Sequence, residues 1–206
     1  MPVLMAKGQQ IELTKDNGRP LGLMRMGLGW RTTPHHGLLG ALGRRHRVHL
    51  GTFAVLYGRG RFIDVIFTEN PASPDGSVEH IGGPLPKGIA GEGDKGDKGD
   101  RGGREDKEYV CVNLSRLPAS ADRIVFVVSS FSGQTFEQVG NAYCRLVDES
   151  SGREFARYTF TEAGPHTSLI MADVRRSGGG WGMSAIGRTA AGQTFPDLLR
   201  VIDRHA

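Results

Sequence analysis

The sequence predicts an all-β fold: two sheets packed as a β-sandwich, with one or two short helices including one at the C-terminus. Three observations carry this. The apolar runs are short, rich in Val, Ile, Phe and Tyr, and separated by turns bearing Gly, Pro or Asp. The 206 residues include 31 glycines, well above an ordinary share, as a fold with many turns requires. Only the final stretch, FPDLLRVIDRHA, has helical spacing, placing Leu198, Leu199 and Ile202 on one face. The length suits a single domain over residues 1–206 with a sizeable core.

Taken in order, QQIELTK alternates apolar and polar residues, as a strand with one wet face does. After the turn DNGRP, LGLMRMGLGW alternates again and ends at Trp30. Residues 31–47 show no clean period, and Pro34, Gly37, Gly40 and Gly43 interrupt them, so a mobile basic loop is expected. VHLGTFAVLY and RFIDVIF read as a hairpin around Gly58-Arg59-Gly60. EYVCVNL is a further strand. RIVFVVSSF is apolar on both faces and belongs at the centre of a sheet. TFEQVGNA reads as a short helical turn before the strand AYCRLVD, and SSG turns that strand into REFARYTF. SLIMADVRR and WGMSAIGR follow, separated by Ser177-Gly178-Gly179-Gly180. Trp30 and Trp181 are expected to fill the core.

Charge is unevenly placed around a net of only +4. Asn17 to Ile63 contain no Asp or Glu, whereas Asp64 to Glu108 carry eleven acids against six bases. Seven of those acids, Glu92, Asp94, Asp97, Asp100, Glu105, Asp106 and Glu108, fall within seventeen residues. Their repulsion is offset by a hard cation, by interleaved Lys and Arg, or by an extended chain in water. Lys95, Lys98, Arg101 and Arg104 supply the interleaving. Glycine at every third position from Gly93 to Gly102 does not indicate collagen, which needs many more triplets and abundant proline. A flexible Gly/Asp/Lys-rich insert over residues 87–107 is the reading.

No apolar run approaches the ~20 residues that span a bilayer, and the N-terminal MPVLMAKGQQ lacks the pattern of a secretory signal. Cytoplasm is the expected location. Cys111 and Cys144 sit in strand-like apolar runs and read as buried free thiols.

Several segments together resemble the TerD domain of tellurium-resistance and bacterial stress proteins. They are Met5–Leu13, GLGW at 27–30, NPASPDGSVEH at 70–80, GEGD at 91–94 and VNLSRLPASADRIVFVV at 112–128. FEQVGNAYCRLVD, GREFARYTF and the GGGW at 178–181 extend the match over nearly the whole chain. The resemblance implies a β-sandwich that binds calcium through acidic loops, acting in stress or tellurite resistance. It also implies partners among other stress-response or tellurium-resistance proteins.

The family pattern places paired aspartates on the strand after GLGW, followed by a GDN segment. Here His49-Leu50-Gly51 and Gly82-Gly83-Pro84 stand in those places. Calcium takes six to eight oxygens, several of them charged when binding is tight, so the loss of two carboxylates points to calcium bound weakly or lost. Glu92 and Asp94 are the leading metal ligands expected, with Glu105, Asp106 and Glu108 as further contributors. The expected function is a non-enzymatic, ion-responsive adaptor with a degenerate calcium site.

The alternative is a calcium-independent scaffold that meets an anionic partner, a membrane surface or nucleic acid, through its Arg/His-rich loop. His35, His36, His46 and His49 lie there without a nearby Cys or a zinc spacing, and read as loop histidines. No catalytic residue is expected. Ser129 and Ser130 lack the GxSxG setting of a nucleophile elbow, and no phosphate-cradling loop is present.

Overall fold

A computed structural model describes residues 1–32, 50–82, 106–130, 135–161, 164–191 and 195–203. The two expected sheets are present, each with six strands. One contains β1 (Val3–Met5), β10 (Arg153–Phe160), β9 (Val139–Asp148), β3 (Leu23–Thr32), β7 (Glu108–Asn113) and β6 (Val78–Gly82), in that spatial order. The other contains β2 (Gln10–Glu12), β12 (Gly180–Ala190), β11 (Ser168–Ser177), β8 (Arg123–Ser129), β4 (Gly51–Gly58) and β5 (Arg61–Ile66). A 3-10 turn at Phe136–Gln138 precedes β9, and α1 (Phe195–Asp203) follows β12.

Alternation along the strands explains the interior. Met24, Met26 and Leu28 of β3 point inward, as do Val110 and Val112 of β7 and Trp181, Met183 and Ala185 of β12. Trp181 is buried, while Trp30 is only partly buried against the same cluster. The run RIVFVVS is β8, buried throughout, between β11 and β4. Its two apolar faces serve two different cores. Ile124, Phe126 and Val128 face the opposite sheet. Val125 and Val127 face outward, where Phe53, Val55, Ile170, Leu198 and Ile202 join them. The helix α1 thus forms a third layer, and burying Leu198 and Ile202 contributes about 1.5–3 kcal/mol each. Leu199 packs at its margin.

The hairpins are those expected from the turn residues. In the β4–β5 turn, Arg59 and Gly60 both have positive φ (52° and 71°), the geometry that matches strand twist. An arginine there costs about 1 kcal/mol more than a glycine. Gly178 and Gly179 turn β11 into β12 in the same way.

Two strands were not anticipated. Val3–Met5 adds in parallel to β10, and Val78–Gly82 adds to β7, each at the edge of its sheet. Most of the basic loop expected over 31–47, all four of its clustered histidines, and the insert from 87 to 105 lie outside the described residues.

Candidate functional site

The start of β4, the end of β6 and the start of β7 meet at one end of the sandwich. Gly82 pairs in register with Glu108, which also pairs with Leu28 of β3. The Glu108 side chain crosses from its own sheet to the other, where Oε2 accepts the backbone N–H of Thr52 at 2.8 Å. His80 lies on the same side of β6 as the core residue Val78, and its Nε2 is 3.3 Å from that same oxygen. The imidazole is 2% exposed, so burial and the carboxylate both hold it in place. Beside them, the Thr52 hydroxyl oxygen is buried with no hydrogen-bond partner among the described residues.

Asp106 goes the other way. A bend at Lys107, whose N–H donates to Leu28 at 2.8 Å, turns it onto the outer face of the sheet. There Arg145 Nε reaches Oδ1 at 2.8 Å and Oδ2 at 3.0 Å, while Nη2 reaches Oδ2 at 2.8 Å. Tyr143 Oη donates to Oδ1 at 3.4 Å. The fork geometry gives Arg145 a strong, directional hold on both oxygens. Burial alone lowers the pKa of the guanidinium, but the hydrogen bonds and charge of Asp106 outweigh it and raise the value. Burial, with Asp106 alongside, pushes the Tyr143 hydroxyl up as well.

This arrangement gives the GLGW segment its physical reason. A Cβ at Gly27 would collide with the Asp106 carboxylate, and one at Gly29 would collide with the Tyr143 ring. The glycines of β3 therefore leave room for a polar layer on β9. That layer continues through Glu154, which accepts Arg157 at 2.7 Å and Arg145 at 3.4 Å. Arg157 in turn lies 4.7 Å over the Tyr143 ring.

The SPDGS segment is a turn closed on itself. Asp75 Oδ1 accepts Ser73 Oγ at 2.6 Å, Ser77 Oγ at 2.8 Å and Ser77 N–H at 3.1 Å. Burial tends to raise its pKa, yet these donors hold it below the ordinary 3.8. Both cysteines are free, and burial pushes Cys111 up to about 11 and Cys144 up to about 12.

Comparison with known proteins places this geometry. The TerD domain profile matches residues 1–200. The chain belongs to the TerD family. It is 38% identical over 198 residues to the tellurium resistance protein TerZ of Serratia marcescens, covering 95% of this chain and 94% of that protein. It is 30% identical over 213 residues to the stress response protein SCP2 of Bacillus subtilis, covering 97% and 98%. The fold matches the crystal structure of a telluride resistance protein homologue from Streptomyces coelicolor. The TM-score is 0.59 at 20% identity, over 84% of this chain and 92% of that one.

For this TerD-family chain, the calcium implied by the resemblance can be tested against the residues present. The three segments where the family pattern carries its acids do converge, at Gly51, Gly82 and Glu108. Among the described residues, the donors there do not make a calcium shell. Glu108 is the one carboxylate those residues bring to the group, its Oε2 is already engaged, and the neighbouring imidazole nitrogen suits softer metals. Asp106 is committed to Arg145. Among the described residues, no group of three or more His, Cys, Asp or Glu side chains is placed to hold a metal ion. Glu92, Asp94 and Glu105 lie outside the described residues.

His80, Thr52 and Arg145 are the site residues that sequence reasoning missed. His80 had a usable signal, since it follows Val78 by two positions and shares its inward face. Arg145 had a weaker one, a lone cation inside the apolar run AYCRLVD.

Proposed function

We propose that this TerD-family chain is a non-enzymatic, ion-responsive adaptor in a tellurium-resistance or stress-response system, with a calcium response that is weak. The observation that carries this is the prior engagement of its carboxylates. Glu108 holds the Thr52 N–H and His80, and Asp106 holds Arg145, so a cation must displace protein donors before it gains those oxygens. Calcium sites with fewer charged ligands and looser frames lie toward ~0.1–1 mM. Of the five expected ligands, Glu92, Asp94 and Glu105 are left to supply charge.

The names of the relatives support the process, tellurium resistance and stress response. Partners are other proteins of such a system, in the cytoplasm. No helix among the described residues is long and apolar enough to cross a membrane. The non-enzymatic reading draws on the two serines at the end of the central strand. Ser129 Oγ lies 2.7 Å from Ser168 Oγ in the interior, a structural pairing, and Ser130 is buried beside it.

The test is thermal unfolding with and without calcium. By mass action, a free-ligand to Kd ratio near ten adds on the order of 1.4 kcal/mol, so millimolar calcium gives a small upward shift. Asp94→Ala and Glu92→Ala reduce it. A shift several times larger, or one untouched by both substitutions, counts against the proposal.

A further inference from the structure

The outer face of an antiparallel sheet is commonly wet, but the sheet that contains β8 is apolar along the centre of its outer face. Phe53 and Val55 of β4, Val125 and Val127 of β8 and Ile170 of β11 form that centre. Its cover is α1, nine residues and so about 14 Å long. Leu198 and Ile202, four apart on one side of the helix, are its buried residues. Phe195, Leu199 and Val201 pack only at the margin. The cover also stops short of the edge. Phe62 of β5 stays 41% exposed, although its ring lies 6.4 Å from Tyr57 and 6.1 Å from Phe195.

Such a helix is too short to hold itself. Helices below roughly 12–15 residues are marginal in water, so α1 is helical because it is docked. Its two ends are docked differently. Asp203 closes the last turn, where an acid opposes the helix dipole. The reason for its place lies on the sheet, where Tyr57 Oη donates to Asp203 Oδ1 at 2.8 Å. Burial first, and Asp203 second, push the Tyr57 hydroxyl up, so it remains a donor. The Arg123 guanidinium, itself held by Asp173, lies 5.7 Å from the centre of the Tyr57 ring. The sheet thus offers a hydroxyl donor beside a cation at one end of the apolar face, and Asp203 clasps the helix there.

We propose that α1 is a releasable cover, and that the face beneath it docks an amphipathic helix supplied by a partner protein. The fold itself displays what the face takes: branched apolar residues at i and i+4, as Leu198 and Ile202, then an acid, as Asp203. A partner helix of that pattern and longer than α1 also covers Phe62. Its apolar residues supply affinity. Its acid sets which way it runs, because Tyr57 presents its hydroxyl at one end only. Release of α1 breaks no strand pairing, since neither sheet includes it in its hydrogen-bonded order. The proposal gives the adaptor reading a docking surface, and because its test involves no calcium the two can fail separately.

The experiment is amide hydrogen exchange of the full chain, followed by titration of a synthetic peptide with the sequence of residues 193–206. In the unmodified chain, α1 amides exchange by local opening, faster than those of β8. Asp203→Ala, at an exposed position, speeds α1 exchange at least about fivefold and leaves the amides of β3, β7 and β9 unchanged. The same variant binds the peptide more tightly by a similar factor, because apparent affinity follows the open fraction. Amide shifts then fall on β4, β8 and β11. A peptide that itself carries Asp203→Ala binds at least about fivefold more weakly. Arg200→Gln, on the exposed side of the helix, leaves exchange within about twofold. Exchange of α1 and β8 in one common step, in both chains, would overturn the releasable cover. Failure of the peptide to bind the Asp203→Ala chain at roughly 1 mM, the weak end of single-site binding, would overturn the docking face. So would dimerisation of that variant that the peptide does not compete with, because it assigns the face to a second copy.

Discussion

The two ends of β4 handle charge in opposite ways. At the Gly51 end, acids meet donors supplied by the protein itself: Thr52 N–H and His80 for Glu108, and the Arg145 fork for Asp106. At the Gly58 end, about 20 Å along the strand, Arg123 and Arg175 share the Asp173 carboxylate, and Arg176 is held by neutral carbonyls. A cluster of like charges is therefore not by itself an ion site. What counts is how much of its charge the fold has already compensated. By that measure the acid-rich end is the more satisfied and the arginine end the less.

The largest expected effect comes from breaking the compensation of Asp106. Arg145→Ala strands a carboxylate that is 4% exposed, and the loss of unfolding free energy should be about 3 kcal/mol or more. Chemical denaturation measures it. Removing both partners, as Arg145→Met with Asp106→Leu, should recover much of the loss, since no buried charge is left alone. If the single and double variants are equally unstable, Asp106 is not the group that Arg145 compensates.

Next in size is Glu108→Ala, which frees the Thr52 N–H and leaves His80 without its carboxylate. A loss of roughly 2 kcal/mol is expected, the cost of unsatisfied buried polar groups. Arg175→Gln at the other end should cost less than about 1 kcal/mol, because Asp173 keeps Arg123. Equal costs at the two ends would erase the contrast between them.

Acid provides a smaller and more distributed effect. Burial raises Asp148, but donors from Ser150, Lys15 and Ser151 bring it below 3.8. Burial likewise raises Glu154, but Arg157 and Arg145 bring it below 4.5. A carboxylate with a depressed folded-state pKa stabilises the fold above its unfolded value, and the contribution disappears as pH falls through the folded value. Stability should therefore be flat in this respect above about pH 5 and fall below about pH 4. Asp148→Asn should flatten part of that fall. An unchanged acid limb in the variant would remove Asp148 from the account.

Much of the fold was legible because strand periodicity and turn residues are local properties. β8 is the clearest case: apolar on both faces, it needed a cover on each, and the sequence held one amphipathic helix to provide the second. β6 was not legible, since it sits inside a Gly- and Pro-rich stretch, and its five residues include His80, Glu79 and Gly82. The site was less legible than the fold for a related reason. A run of acids shows its own charge but not its partners. Arg145 lies 39 residues from Asp106, and Thr52 lies 56 residues from Glu108. Only the register of β3, β7 and β9 brings the first pair together, and only the packing of two sheets brings the second.

The central claim, that these carboxylates are already spent, is tested most directly by calorimetric calcium titration of the unmodified chain beside a His49→Asp, Gly51→Asp double variant. A side chain fits at position 51, where among the described residues the nearest neighbours of a Cβ would be the Phe53 ring at 3.4 Å and the Ser129 carbonyl at 4.0 Å. The account predicts a dissociation constant of ~0.1–1 mM for the unmodified chain and tighter binding once the two aspartates are present. Submicromolar affinity in the unmodified chain would contradict it, because a full shell would then form without free carboxylates at 106 and 108.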